Sequence, residues 1–121
     1  MIQSLTMQVY QWDQVPKEQM SPVLSRQVIH SDTMTVARVS LKKGCLVPEH
    51  SHHNEQLTMM QQGSLKFVLA GVEKIVRAGD VLQIPAHVPH SAEALEDSVA
   101  TDLFSPPRED WKRGDDAYLR K

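Results

Sequence analysis

Six histidines occur in a chain of 121 residues, and three of them stand at positions 50, 52 and 53. They sit in the stretch Gly44-Cys45-Leu46-Val47-Pro48-Glu49-His50-Ser51-His52-His53-Asn54-Glu55-Gln56. Side chains two apart on a strand project to one face. His50 and His52 therefore present two imidazoles side by side, as a metal chelate requires. Gln56 can add an oxygen from the start of the next run. A further donor must come from another strand, and His90, just beyond Pro85-Ala86-His87-Val88-Pro89, is placed to supply it. Three imidazoles and one oxygen suit zinc, nickel, iron or copper and are poor for magnesium or calcium. Glu55 is the rival for the oxygen position, although in a regular strand it has the wrong parity. His53 reads as a loop neighbour, His30 as a strand-surface residue and His87 as a rim residue. Cys45 has no visible base partner, so no nucleophile is expected there.

A second constellation lies nearer the C-terminus, in Asp102-Leu103-Phe104-Ser105-Pro106-Pro107-Arg108-Glu109-Asp110-Trp111. The period of two puts Asp102 on one strand face with Ala100 and Phe104. A carboxylate among such inward neighbours needs a partner or a task, because burying it alone is costly. Arg108, placed by two prolines, is expected to reach back over the mouth of a barrel. Its planar fork suits a two-point grip on a carboxylate.

The elements that must carry these residues are short. Strand-like runs occur at 34–41, 56–61, 64–69, 72–77, 81–84, 90–95 and 99–104, separated by glycines and prolines. Joins at Gln62-Gly63 and Ala70-Gly71 read as hairpins. Strands of this length and spacing mean an all-β sandwich or barrel, and no amphipathic helix alternates with them. Helix is expected only at the ends: a turn near Pro16 to Met20 and a loose stretch from Glu109 to Leu119. Lys112-Arg113-Gly114-Asp115-Asp116 reads as a solvated, mobile tail. Met34, Met59 and Met60 read as apolar packing; Met60 shares parity with Gln56 and so can also line a cavity.

Composition narrows the function. Thirteen basic and fifteen acidic residues give a net charge of -2, with no basic stripe for nucleic acid. Apolar runs fall short of the roughly 18–20 residues that span a bilayer. Met1 to Tyr10 has neither a basic start nor an apolar core, so no secretory signal is expected. One cysteine excludes an internal disulfide framework, and a reducing, cytoplasmic setting is expected.

The spacings resemble a known pattern. Gly44, His50, His52, Gln56 and Gly63, followed by Gly79, Pro85, His87 and His90, resemble the two motifs of the cupin superfamily in order and separation. Three positions depart from it: Gln56 stands where Glu is usual, His87 where Gly is usual, and Ala94 where Asn is usual. The His-Ser-His-x-Asn-Glu-Gln stretch and the ending Phe104 to Trp111 look like the small cupins related to the pectin-degradation protein KdgF. The resemblance implies an all-β, single-domain cupin over residues 1–121, a conical antiparallel β-barrel or double-stranded β-helix with its core at 25–105. It implies one divalent transition metal (zinc, nickel, iron or manganese) on His50, His52, Gln56 and His90, with functional roles for Asp102, Phe104 and Arg108. The implied reaction opens the ring of 4,5-unsaturated uronate monosaccharides from pectin or alginate. The implied partner is a small sugar acid, with no nucleic acid and no membrane, and a homodimer is expected because exposed edge strands favour pairing. Two other readings stand beside it: an iron or nickel dioxygenase, and a sugar-binding cupin without turnover.

Overall fold

A computed structural model describes residues 7–120. The expectation of no secretory signal over Met1 to Tyr10 falls largely outside them. Ten strands follow one another: β1 (Glu18–Ser21), β2 (Leu24–His30), β3 (Thr35–Leu41), β4 (Leu46–His50), β5 (Glu55–Gln62), β6 (Ser64–Leu69), β7 (Val72–Arg77), β8 (Val81–Ile84), β9 (His90–Ala94) and β10 (Ser98–Ser105). One short helix, α1 (Glu109–Lys112), and 3-10 turns at Trp12–Gln14 and Ala117–Leu119 flank them. The strands form two antiparallel sheets, β1-β2-β3-β10-β5-β8 and β4-β9-β6-β7. The all-β antiparallel reading holds. No described helix is long and apolar enough to cross a membrane.

Alternation along the strands builds the interior. On β5, Gln56, Thr58 and Met60 are buried. On β10 they face Phe104, Asp102 and Ala100 in register. Along these two strands Gln56, Thr58 and Asp102 gather beside Phe104 toward one end, and the other end is apolar at Met60 and Ala100. The apolar end joins Leu24, Leu41, Leu65, Phe67 and Ala92 in one core.

Four local expectations change or sharpen. The hairpin at Ala70-Gly71 is present: β6 pairs with β7, and both loop residues have positive φ, 47° and 83°, as a two-residue primed turn requires. Gln62-Gly63 is not a hairpin. There the chain crosses between sheets, since β5 pairs with β10 and β8 while β6 pairs with β9 and β7. A Cβ on Gly63 would stand 2.3 Å from Ser98 Oγ, so the crossing needs glycine. The turn expected near Pro16 to Met20 is largely strand, because β1 pairs with β2 and buries Met20. Met34, expected in the core, is 42% exposed just before β3 begins.

In the C-terminal tail, Lys112 to Asp115 are exposed as expected, but the end of the run and the residues after it are docked. Asp116 is fully buried, with Arg26 Nη2 at 2.5 Å and Arg120 Nε at 3.0 Å from its carboxylate oxygens. Leu119 packs on the core and Tyr118 lies over the ring of His50. Residues 109–120 thus form a strap across the barrel mouth. A run of charges looks solvated in sequence, yet here the charge of Asp116 is matched by a partner far away in the chain.

Candidate metal centre

His50 and His90 sit opposite each other on β4 and β9, with ring centroids 4.2 Å apart. His52 lies just past the end of β4, where the strand-parity argument no longer applies. A backbone hydrogen bond from His87 N to His52 O, 2.8 Å, ties this loop to the turn before β9. His87 itself is exposed at φ 67°, a left-handed conformation that favours glycine and that histidine tolerates. The ligand nitrogens of His50, His52 and His90 all lie within 4.8 Å of one another.

The tautomers follow from the backbone. Each Nδ1 faces a carbonyl oxygen two residues away: Pro48 O at 2.8 Å for His50, Asn54 O at 3.0 Å for His52, and Val88 O at 2.8 Å for His90. A carbonyl only accepts, so each Nδ1 carries the proton and each Nε2 keeps a lone pair. Such outer hydrogen bonds fix ring orientation in metal sites. Burial pushes His50 and His52 down to about 4, and burial lowers His90 as well. Near neutral pH all three are uncharged, the state a metal needs.

Two features fit a cation. The Nε2 of His90 is buried with no hydrogen-bond partner among the described residues. Gln56 Oε1 lies 3.2 Å from His52 Nε2, although in this tautomer both atoms are acceptors. Two lone pairs facing each other at that distance need something positive near them. Gln56 is buried on the inner face, while Glu55 is exposed and accepts a hydrogen bond from Gln83 at 2.9 Å. The parity argument for Gln56 over Glu55 therefore matches where the two side chains stand.

One cavity brings together His50, Gln56, His90, Asp102, Phe104 and Arg108. Asp102 Oδ1 accepts a hydrogen bond from Thr58 Oγ1 at 2.7 Å. Burial raises its carboxyl to about 6, against the opposing pull of Thr58 and Arg108. Phe104 packs edge-on to His52 at 5.7 Å and to Trp111 at 5.1 Å. Arg108 differs from expectation. Its Nε and Nη2 already grip Asp110 at 3.0 and 2.8 Å, and Nη2 also donates to Tyr118 Oη at 3.0 Å. The two-point fork is occupied from within, and Nη1 is left without a partner among the described residues. The guanidinium stacks 4.7 Å from Phe104 and 4.2 Å from Trp111. Asn54 anchors this turn by donating to Pro106 O at 2.6 Å and Pro107 O at 3.2 Å. His30 and His53 stand exposed, and Cys45 is buried with its thiol pushed up by burial.

Sequence reasoning missed Arg26, Thr58 and Tyr118, which also line the cavity. Thr58 was legible, since it shares the parity of Gln56. Arg26 and Tyr118 arrive only through long-range packing.

An antiparallel two-sheet barrel with three inward imidazoles defines a class of β-barrel built around a metal-ligand cluster. The cupin-domain family model matches residues 37–105, and the chain belongs to the cupin family. No curated protein matches in sequence. The solved structure of KdgF from Halomonas sp. is 28% identical with a TM-score of 0.82, over 88% of this chain and 99% of that one. An RmlC-like cupin from Shewanella frigidimarina is 27% identical with a TM-score of 0.81, over 88% of this chain and 96% of that one. A predicted oxalate decarboxylase from Thermotoga maritima shares the fold at 19% identity and a TM-score of 0.74, over 82% of this chain and 99% of that one.

Proposed function

We propose that the protein is a metal-dependent enzyme that opens the ring of 4,5-unsaturated uronate monosaccharides to the linear 4-deoxy-5-keto acid. The observation that carries this reading is a neutral donor set in which the ligand nitrogens of His50, His52 and His90 converge, and His50, Gln56 and His90 line one cavity with Asp102. The likeness to KdgF, in the sequence motifs and in the fold, supports it. The chemistry a divalent metal supplies when bound there is stabilisation of negative charge on substrate oxygens. With four neutral donors, none of that charge is cancelled by a ligand.

The chain's own residues do the rest. Asp102 takes the proton from the anomeric hydroxyl as the bond from C1 to the ring oxygen breaks. The ring oxygen keeps the bond pair and leaves as an enolate at C5. Asp102 then returns that same proton to C4 as the enolate collapses to the ketone, with no net gain or loss of atoms. A carboxyl near 6 suits a group that must both take and give a proton close to neutral pH. Phe104 packs against the sugar ring. Arg108 offers Nη1 and its charge to the substrate carboxylate as a single-point contact. The domain is taken as one unit over the whole chain, working in the cytoplasm as a homodimer, and the open edges of β1, β4, β7 and β8 support the pairing.

The test is incubation of metal-loaded protein with a 4,5-unsaturated galacturonate, following loss of its conjugated double bond. NMR should then show a C4 methylene and a C5 ketone. Sugar binding without turnover would favour the non-catalytic cupin. Dioxygen uptake with a phenolic or diketone substrate would favour the dioxygenase.

A further inference from the structure

An unbroken chain of polar contacts runs along the inner face of the barrel from Asp102 to the imidazole cluster. Thr58 stands directly opposite Asp102 in the β5–β10 register and is 1% exposed. Its Oγ1 lies 2.7 Å from Asp102 Oδ1 and 3.0 Å from Gln56 Nε2. The far end of the same amide, Gln56 Oε1, lies 3.2 Å from His52 Nε2.

The directions in this chain are forced by proton counting. An ionised carboxylate only accepts, so Thr58 must give Asp102 its one hydroxyl proton. With no proton left to give, Thr58 Oγ1 can only accept from Gln56. The amide nitrogen therefore faces Thr58, and the amide oxygen faces the imidazoles. Turning the amide over would set a carbonyl against a hydroxyl with no free proton, and an NH2 group against the place of a cation. Both ends would be mismatched.

We propose that Thr58 is a positioning residue for the metal: with its proton committed to the Asp102 oxygen, it fixes Gln56 with its oxygen toward the ion. This rests on the metal-site part of the proposed function and is independent of the sugar. It also gives a physical reason why Gln56 works where the cupin pattern usually has Glu. A carboxylate presents an oxygen whichever way it turns, whereas an amide must be told which end to present. A glutamine ligand needs an orienting partner and a glutamate does not.

The experiment titrates metal-free protein with Co(II) at about pH 8, where aspartate is ionised. Calorimetry gives affinity, and the visible spectrum of bound Co(II) reports loss of an oxygen ligand. Thr58→Val keeps shape and removes the proton, and it should weaken Co(II) binding by about 10–100-fold, as losses of outer hydrogen bonds do. Thr58→Ser, which keeps the hydroxyl, should stay within about threefold of the parent. In a Gln56→Glu background the valine substitution should also change affinity by less than about threefold, because the orienting task is gone. Thr58→Ala makes the same predictions and carries the test if the valine variant does not fold. The proposal is overturned if Thr58→Val binds like the parent, if Thr58→Ser fails to rescue, or if the loss persists in the Gln56→Glu background. A parent that binds no Co(II) overturns the metal site itself and this inference with it.

Discussion

Removing the carboxylate of Asp116 should unlatch the C-terminal strap. Arg26 is 4% exposed and Asp116 1%, so the pair is held out of water. Breaking a buried ion pair from one side typically costs about 3–5 kcal/mol, because a charge is left buried without its partner. Glu18, 3.4 Å from Arg26 and half-exposed, remains as partial compensation, which places Asp116→Ala near the lower end, about 3 kcal/mol. For a domain of this size about 1 kcal/mol moves the melting point by roughly 4 °C, so a fall of roughly 12 °C is expected at neutral pH. The pH dependence has a definite sign. Burial alone would raise the Asp116 carboxyl, but hydrogen bonds from Arg120 and Arg26 outweigh it and hold the group below its ordinary value. Its stabilisation is present above the unfolded carboxyl value, about 3.9, and fades as pH falls through the lower folded value. Thermal melts of parent and variant should therefore converge in strong acid. The strap also carries Tyr118 over His50, 4.6 Å between centroids, so the variant should lose turnover as well as stability. A melting point within about 3 °C of the parent at neutral pH would refute the latch.

Three other outcomes are expected. Metal-free protein should lose stability as pH falls from about 6.5 toward 4, because the unfolded chain takes up protons that burial denies His50 and His52; a melting curve that is flat or rises in that window contradicts this. Gln56→Glu should hold metal at least as tightly, since an anion replaces an amide, and should turn over more slowly because part of the metal's charge is cancelled; unchanged kcat would make the neutral donor set incidental. Asp102→Asn keeps an oxygen for the Thr58 hydroxyl, so metal content and KM should hold while kcat falls by about 10²–10⁴-fold, and kcat at the parent level would remove Asp102 as the proton carrier.

Local rules made much of this protein legible. Alternation by two put Gln56 inside and Glu55 outside, and it put Ala100, Asp102 and Phe104 on one inner face, because strand parity is a property of neighbouring residues alone. Ala70-Gly71 declared its turn for the same reason: positive φ at both positions is a local demand. The spacing of His50, His52 and His90 pointed to one cluster, and their ligand nitrogens do converge. Other features depended on partners far away in the chain. Gly63 could not be told from a hairpin glycine without knowing that Ser98 lies against it. Residues 112–115 are exposed as their charges suggested, but Asp116 at the end of the run is buried by pairing with Arg26, ninety residues upstream. Arg108 looked free to grip a substrate, but the backbone of the following turn brings Asp110 into its fork. Tyr118 had no sequence signal, since its place over His50 is set by the docking of Asp116 and Leu119. Periodicity fixes which way a side chain faces, whereas which charges meet is decided only when the sheets and the strap close on one another.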